Sequence, residues 1–223
     1  LVGHSEGGAI APIVASRSKD VAFIVMMAGP GVRIEDLIVR QVSDMARVGG
    51  ASDAVIKDTA AAVRRMCQVA TTTADTKLMH QQLDAVADSL TAQVTASNPS
   101  MATMASQQAH GLSDLIGTPG FRYALTLKPD EILRKVKQPV LAINGSLDLQ
   151  VSAKENLPAI EKALRAGGNK DVTVVELPGL NHPFQTAKTG SPMEYATIEE
   201  TMSPVALKTI SDWILARTAP KKK

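Results

Sequence analysis

Two short runs, VAFIVMMAG at 21–29 and PVLAING at 139–145, are apolar at nearly every position instead of at every second one. A strand with one face in water alternates. A run of this length that does not alternate buries both faces, which is what a parallel sheet covered by helices on each side requires. A third run, VTVVELP at 172–178, reads as a further strand. Helical sequence lies between and around these runs. Gly7 to Ser18 is rich in small residues, with Ala9, Ala11 and Ala15 allowing close approach to a sheet and Pro12 fitting best in the first turns. Asn156 to Ala166 is a helix closed by Gly167 and Gly168, and Ser203 with Pro204 caps a last helix whose core stripe is Ile210, Trp213 and Ile214. Strand and helix alternate, so the chain reads as α/β with a parallel sheet.

The character changes between about Arg33 and Leu127, where the sequence becomes polar and rich in Ala, Gln and Thr with apolar residues at helical spacing. Ile34, Leu37, Ile38, Gln41 and Met45 mark one helix, Val55, Val63, Met66 and Cys67 a second, and Leu83, Val86, Leu90 and Val94 a third. Asn98-Pro99-Ser100 and Gly117-Thr118-Pro119-Gly120 break the pattern. The expected organisation is a first core segment at 1–32, an all-helical insert at 33–128 and a second core segment at 129–223. Three strands alone would leave a long apolar edge open, so strands are expected to be missing on the N-terminal side.

Composition narrows the function classes. A chain of 223 residues with 44% apolar and 21% charged residues can bury a core, and no apolar run reaches the length of a bilayer span. The formal net charge is +2, the basic residues are scattered, and aromatics make up 3%, which argues against a nucleic-acid surface. The Lys221-Lys222-Lys223 tail reads as a solvated end. Cys67 is the single cysteine, which excludes an internal disulfide and a cysteine metal cluster. No two histidines sit at ligand spacing, so the reading calls for no metal and no cofactor; His80 and His110 fall in the polar insert as surface or cap residues. The compartment stays open between cytoplasmic and exported.

The chemistry-bearing motif is LVGHSEGG at the start of the chain, where Gly3-His4-Ser5-Glu6-Gly7 matches the G-x-S-x-G nucleophile elbow. Such a serine sits on a strained strand-to-helix turn. Small flanking residues relieve the clash between the strand and the helix, and the helix N-terminus supplies N–H groups and a favourable dipole for developing negative charge. A weakly nucleophilic serine needs a base, and the base needs an acid to fix its tautomer. Asp148, in NGSLDLQVS, lies just past the second strand, and His182, in PGLNHPF, just past the third. In a parallel sheet both loops open on the elbow's edge, and the order Ser, Asp, His is the one this architecture uses. Asp148 also fits a turn or helix-cap aspartate, and His182 a loop histidine with its own partners.

These residues resemble the α/β-hydrolase fold, and more narrowly bacterial esterases of the serine aminopeptidase-like hydrolase group. The resemblance runs through GHSEGG, AFIVMMAGPG, PVLAINGSLDLQV, GGNKDVTVVELPGLNHPFQTAKTGSP and EYATIEET, nearly the whole chain. It implies a parallel sheet with flanking helices, Ser5 as nucleophile, His182 as general base and then acid, Asp148 as its orienter, and the Glu6 backbone N–H as one oxyanion donor. It further implies that the helical insert is a cap over the acyl site, and that the second oxyanion donor belongs to a loop preceding the elbow, among strands absent from this chain.

The expected activity is hydrolysis of a small carboxylic ester, short-chain acyl esters in particular. An aminopeptidase, amidase or thioesterase would use the same three residues, and an acidic cluster holding a free amine would favour the peptidase; Asp84 and Asp88 stand at helical spacing in the insert, where a solvated face explains them. Phe121, Tyr123 and Phe184 are candidate pocket walls, each fitting a core position equally well, and Glu6 is either near the site mouth or a solvated helix-start glutamate. A reading of another class is an inactive partial hydrolase that pairs with a copy of itself or with a missing N-terminal segment through its open sheet edge.

Overall fold

A computed structural model describes residues 1–219, and the lysine tail at 221–223 lies outside the described residues. In chain order the elements are β1 (Val2–His4), α1 (Glu6–Ala15), β2 (Ile24–Met27), α2 (Ile34–Val48), α3 (Asp53–Thr72), α4 (Thr76–Ser97), α5 (Ala102–Gly117), α6 (Pro119–Thr126), α7 (Pro129–Leu133), β3 (Val140–Gly145), α8 (Ala153–Ala166), β4 (Val172–Leu177) and α9 (Pro204–Thr218). Short 3-10 turns occupy Pro99–Met101 and Pro192–Thr197. The packing divides into two compact units, one made of Leu1–Val32 with the segment from Lys128 onward, the other of Arg33–Leu127. Among the described residues no helix is long and apolar enough to cross a membrane.

The first unit is a four-stranded, all-parallel sheet in the order β1-β2-β3-β4 with helices on both faces. The non-alternating runs have the expected cause. In β2 and β3 every residue is buried, and successive side chains go to opposite layers. Ile24, Met26, Val140 and Ala142 pack with Ala11 and Ala15 of α1, Leu133 of α7 and Leu157, Ile160 and Leu164 of α8. Val25, Met27, Leu141 and Ile143 pack with Leu177, Leu180, Phe184, and Ala206 and Trp213 of α9. Each fully buried Leu, Ile or Met side chain contributes about 1.5–3 kcal/mol, so removing either helix layer would leave a wholly apolar face in water. On α9 the Trp213 indole N–H donates to Thr173 Oγ1 at 3.1 Å, the Phe23 ring meets it edge-on at 5.6 Å, and the Arg217 guanidinium lies 3.7 Å above it.

Two expectations need correction here. Pro12 lies in the interior of α1 and not in its first turns, so α1 runs on through a residue with no N–H to give. The helix also ends earlier than Ser18, at Ala15, with the Ser16 hydroxyl donating to the Ile13 carbonyl.

The second unit is all helical, with five helices where the apolar spacing marks three. The additional ones follow the two breaks. Asn98 ends α4 and Pro99 starts the turn into α5; Thr118 caps α6, its Oγ1 accepting from Phe121 N–H at 3.2 Å, with Pro119 at the first helical position. Asp75 caps α4 in the same way, accepting from Leu78 N–H at 2.8 Å. Val63, Met66, Met79, Leu83, Ala87 and Ile116 are fully buried at the centre of this unit. Cys67 sits in the same core, where burial above all, with the Glu35 carboxylate adding to it, pushes its thiol up to about 12. It is a packing residue and not a nucleophile. His80 is partly buried and packs against Gly117, while His110 is surface-placed and pairs with Asp88 at 3.3 Å.

Candidate active site

Ser5 stands between β1 and α1 with φ 55° and ψ −115°, a conformation that costs about 1–3 kcal/mol for a residue with a side chain. Two hydrogen bonds hold it there: Ser5 N–H donates to the Met27 carbonyl at 2.8 Å, and Gly8 N–H donates to the Ser5 carbonyl at 2.9 Å. The turn is so tight that a Cβ on Gly3 would overlap the Gly7 carbonyl. The elbow therefore depends on glycine at Gly3. At Gly7 the expected steric reason is absent, because a Cβ there would meet open space.

Ser5 N–H is already committed to Met27, so it is not available to a negative oxygen. Glu6 is the first residue of α1, and first-turn N–H groups have no acceptor inside their own helix. Its side chain is exposed, as a helix-start glutamate is.

Asp148 follows β3 in a loop organised by a buried amide. Asn144, inside the apolar strand, donates from Nδ2 to the Val151 carbonyl at 2.7 Å and accepts from Gly145 N–H at 2.9 Å. The loop then turns its own N–H groups toward the acid: Gln150 and Val151 donate to Asp148 Oδ1 at 2.8 and 2.9 Å. Gln150 Nε2 donates to the Tyr195 hydroxyl at 3.1 Å, and burial raises the Tyr195 pKa above the usual phenol value. The Asp148 side chain is 0% exposed. A carboxylate can be held there because each of its oxygens faces donors.

His182 follows β4. Its loop is pinned to the end of β3, where a Cβ on Gly145 would overlap the Leu180 carbonyl, and by Leu147 N–H donating to Leu180 at 2.9 Å. Asn181, fully buried, exchanges side-chain and main-chain bonds with Gln185, which in turn donates to the Glu200 carbonyl at 3.0 Å. His182 Nδ1 then lies 2.8 Å from Asp148 Oδ2, and Nε2 lies 3.0 Å from Ser5 Oγ. An ionised carboxylate only accepts, so Nδ1 carries the proton and Nε2 presents its lone pair to the Ser5 hydroxyl. The structure thus brings Ser5, His182 and Asp148 into one hydrogen-bonded chain, with the His182 side chain 7% exposed. Chemically, that arrangement can take the serine proton as the oxygen attacks an electrophile and can hold the resulting imidazolium against a buried carboxylate.

No protein-family model matches the chain, and no curated protein matches it. Among solved structures, an esterase from Rhodococcus aligns at 21% identity and a TM-score of 0.41 over 97% of this chain and 64% of its own. A Pyrococcus furiosus esterase aligns at 13% identity and 0.44 over 97% and 52%, and E-2-(acetamidomethylene)succinate hydrolase at 21% and 0.44 over 96% and 65%. The chain therefore spans about half to two thirds of the length of these structures.

The candidate pocket walls fare differently. Phe184 is 0% exposed and belongs to the core between the sheet and α9, which excludes it as a wall. Phe121 packs against the core of the helical unit, and Tyr123 is exposed. Within that unit a cleft of about 480 Å³ lies between α3 and α4, with Ala62, Val69, Val86 and Leu90 in its lining; none of the candidate site residues contributes to it. Asp84 and Asp88 are both engaged, Asp84 by the Ser113 hydroxyl at 3.1 Å and Asp88 by His110. Sequence reasoning missed Asn144, Gln150 and Tyr195. Asn144 alone had left a signal, a polar residue in a strand otherwise buried on both faces.

Proposed function

We propose that this chain is a serine hydrolase of the α/β-hydrolase type acting on small carboxylic esters. The observation that carries the reading is that one buried imidazole, His182, bonds the Ser5 hydroxyl through Nε2 and the Asp148 carboxylate through Nδ1. In this reading Ser5 Oγ attacks the ester carbonyl carbon while its proton passes to His182 Nε2. The tetrahedral oxyanion forms beside the N-terminus of α1, where the Glu6 N–H and the helix dipole favour negative charge. The intermediate collapses, the ester C–O bond breaks, and the alcohol leaves with the proton from His182. Water then attacks the acyl-Ser5 carbon, giving its proton to His182, and the carboxylic acid departs as Ser5 regains its hydrogen.

The ester is the leading reading and the amide its alternative, because a serine, an imidazole and a carboxylate in this arrangement serve acyl transfer from either leaving group. The test is the release of nitrophenol from p-nitrophenyl butyrate against release of nitroaniline from alanine p-nitroanilide. Turnover of the ester with none of the anilide is expected; faster release from the anilide would overturn the ester assignment in favour of a peptidase.

A further inference from the structure

The elbow follows β1 and the histidine loop follows β4, and these are the two outer strands of the described sheet. No ladder bond can join them, so the register between Ser5 and His182 is set elsewhere. Among the described residues two direct hydrogen bonds connect elbow and loop. One is the Ser5–His182 side-chain bond; the other joins His4 Nε2 to the main-chain carbonyl of His182 at 2.9 Å. A carbonyl only accepts, so His4 carries its proton on Nε2. The His4 ring also packs on the loop, with centroids 4.7 Å from the His182 ring and 6.0 Å, edge-on, from the ring of Phe184. Phe184 closes the loop's turn by donating to the Asn181 carbonyl, with φ 64° and no exposed surface. His4 therefore braces both the middle and the end of the turn that presents the base.

We propose that His4 is a positioning residue for His182, and that its bond to the His182 carbonyl holds the base in register while Ser5 is acylated. The inference rests on the serine hydrolase reading of the same site. When Ser5 Oγ bears an acyl carbon it has no hydrogen to donate, and the Ser5–His182 bond is lost. The His4 bond involves no reacting atom, so it survives into the acyl-enzyme, where His182 must accept a proton from water. Although His4 is exposed along one side, burial of the rest of the ring holds its pKa below the usual imidazole value, with His182 and Asp148 the ionisable groups that act on it. At pH 7 it is a neutral donor and adds no charge to compete with the His182 imidazolium.

Two substitutions separate the bond from the packing. His4→Gln sets an amide N–H donor as many bonds from the backbone as Nε2, and His4→Phe keeps a ring without a donor. With p-nitrophenyl butyrate, His4→Phe is expected to lower kcat about tenfold, with KM falling alongside so that kcat/KM stays within about threefold of the parent. It should show a burst of nitrophenol approaching one per chain, and His4→Gln should restore most of the lost kcat. Parent kcat in His4→Phe, or a loss of kcat/KM as large as that of kcat, overturns the inference. Ser5→Ala run beside them separates the two ideas: turnover at the parent rate there sinks the hydrolase reading, whereas an inactive Ser5→Ala with an unimpaired His4→Phe sinks the positioning role alone. A second readout needs no turnover. In spectra of the chain carrying 15N-histidine, His4 is expected as the Nε2–H tautomer and His182 with a sharp downfield Nδ1–H signal that broadens in His4→Phe and returns in His4→Gln. A Nδ1–H tautomer at His4, or a His182 signal indifferent to His4→Phe, overturns it.

Discussion

Ser5→Ala is expected to reduce ester turnover about 10⁶-fold while leaving the fold in place. That loss corresponds to about 8 kcal/mol in the barrier. It has a single origin, since alanine offers no oxygen to form the acyl intermediate and the imidazole alone has no positioned nucleophile to activate. The fold should tolerate the change. Alanine meets the same penalty at φ 55° that serine already bears, and the two main-chain bonds at this position, to Met27 and from Gly8, do not use the side chain. Thermal unfolding within a few degrees of the parent, measured beside the rate of p-nitrophenyl butyrate hydrolysis, distinguishes a lost nucleophile from a lost structure.

Asp148→Asn is expected to lower kcat about 10⁴-fold, or about 5 kcal/mol, without removing any atom from the site. The geometry leaves the amide no satisfactory orientation. With its oxygen on the Gln150 and Val151 N–H groups, its NH2 faces His182 Nδ1 and obliges that nitrogen to be the acceptor. The proton then moves to Nε2, and the ring can no longer accept from Ser5. Turned the other way, the NH2 faces two main-chain donors in a buried loop. Either orientation disables the base, and the kcat of the variant against the parent measures the cost of the wrong tautomer.

The strands at the centre of the sheet were legible because burial on both faces leaves an unmistakable apolar run, as in Ile24–Met27 and Val140–Gly145. Helix α5 was not, because its sequence carries Gly111 and few apolar residues at regular spacing, and it is held by packing against its neighbours instead of by its own propensity. Pro12 misled in the opposite direction: a proline argues for a first turn, yet α1 passes through it because Ala11 and Ala15 are held against the sheet. The candidate site was legible in Ser5, Asp148 and His182, whose places after strands follow from topology and whose side chains meet in one hydrogen-bonded chain. Phe184 fitted a pocket wall and a core position equally well, and the turn at φ 64° with complete burial puts it in the core. His4, Gln150 and Tyr195 act through main-chain carbonyls, N–H groups and one another, and such contacts between distant loops leave no local pattern in a sequence.

The most direct test of the central claim is to treat the chain with a fluorophosphonate and locate the adduct by peptide mass spectrometry. One phosphonyl group per chain, on Ser5, is the expected result. A chain that stays unlabelled, or that carries its adduct on any other residue, would contradict it.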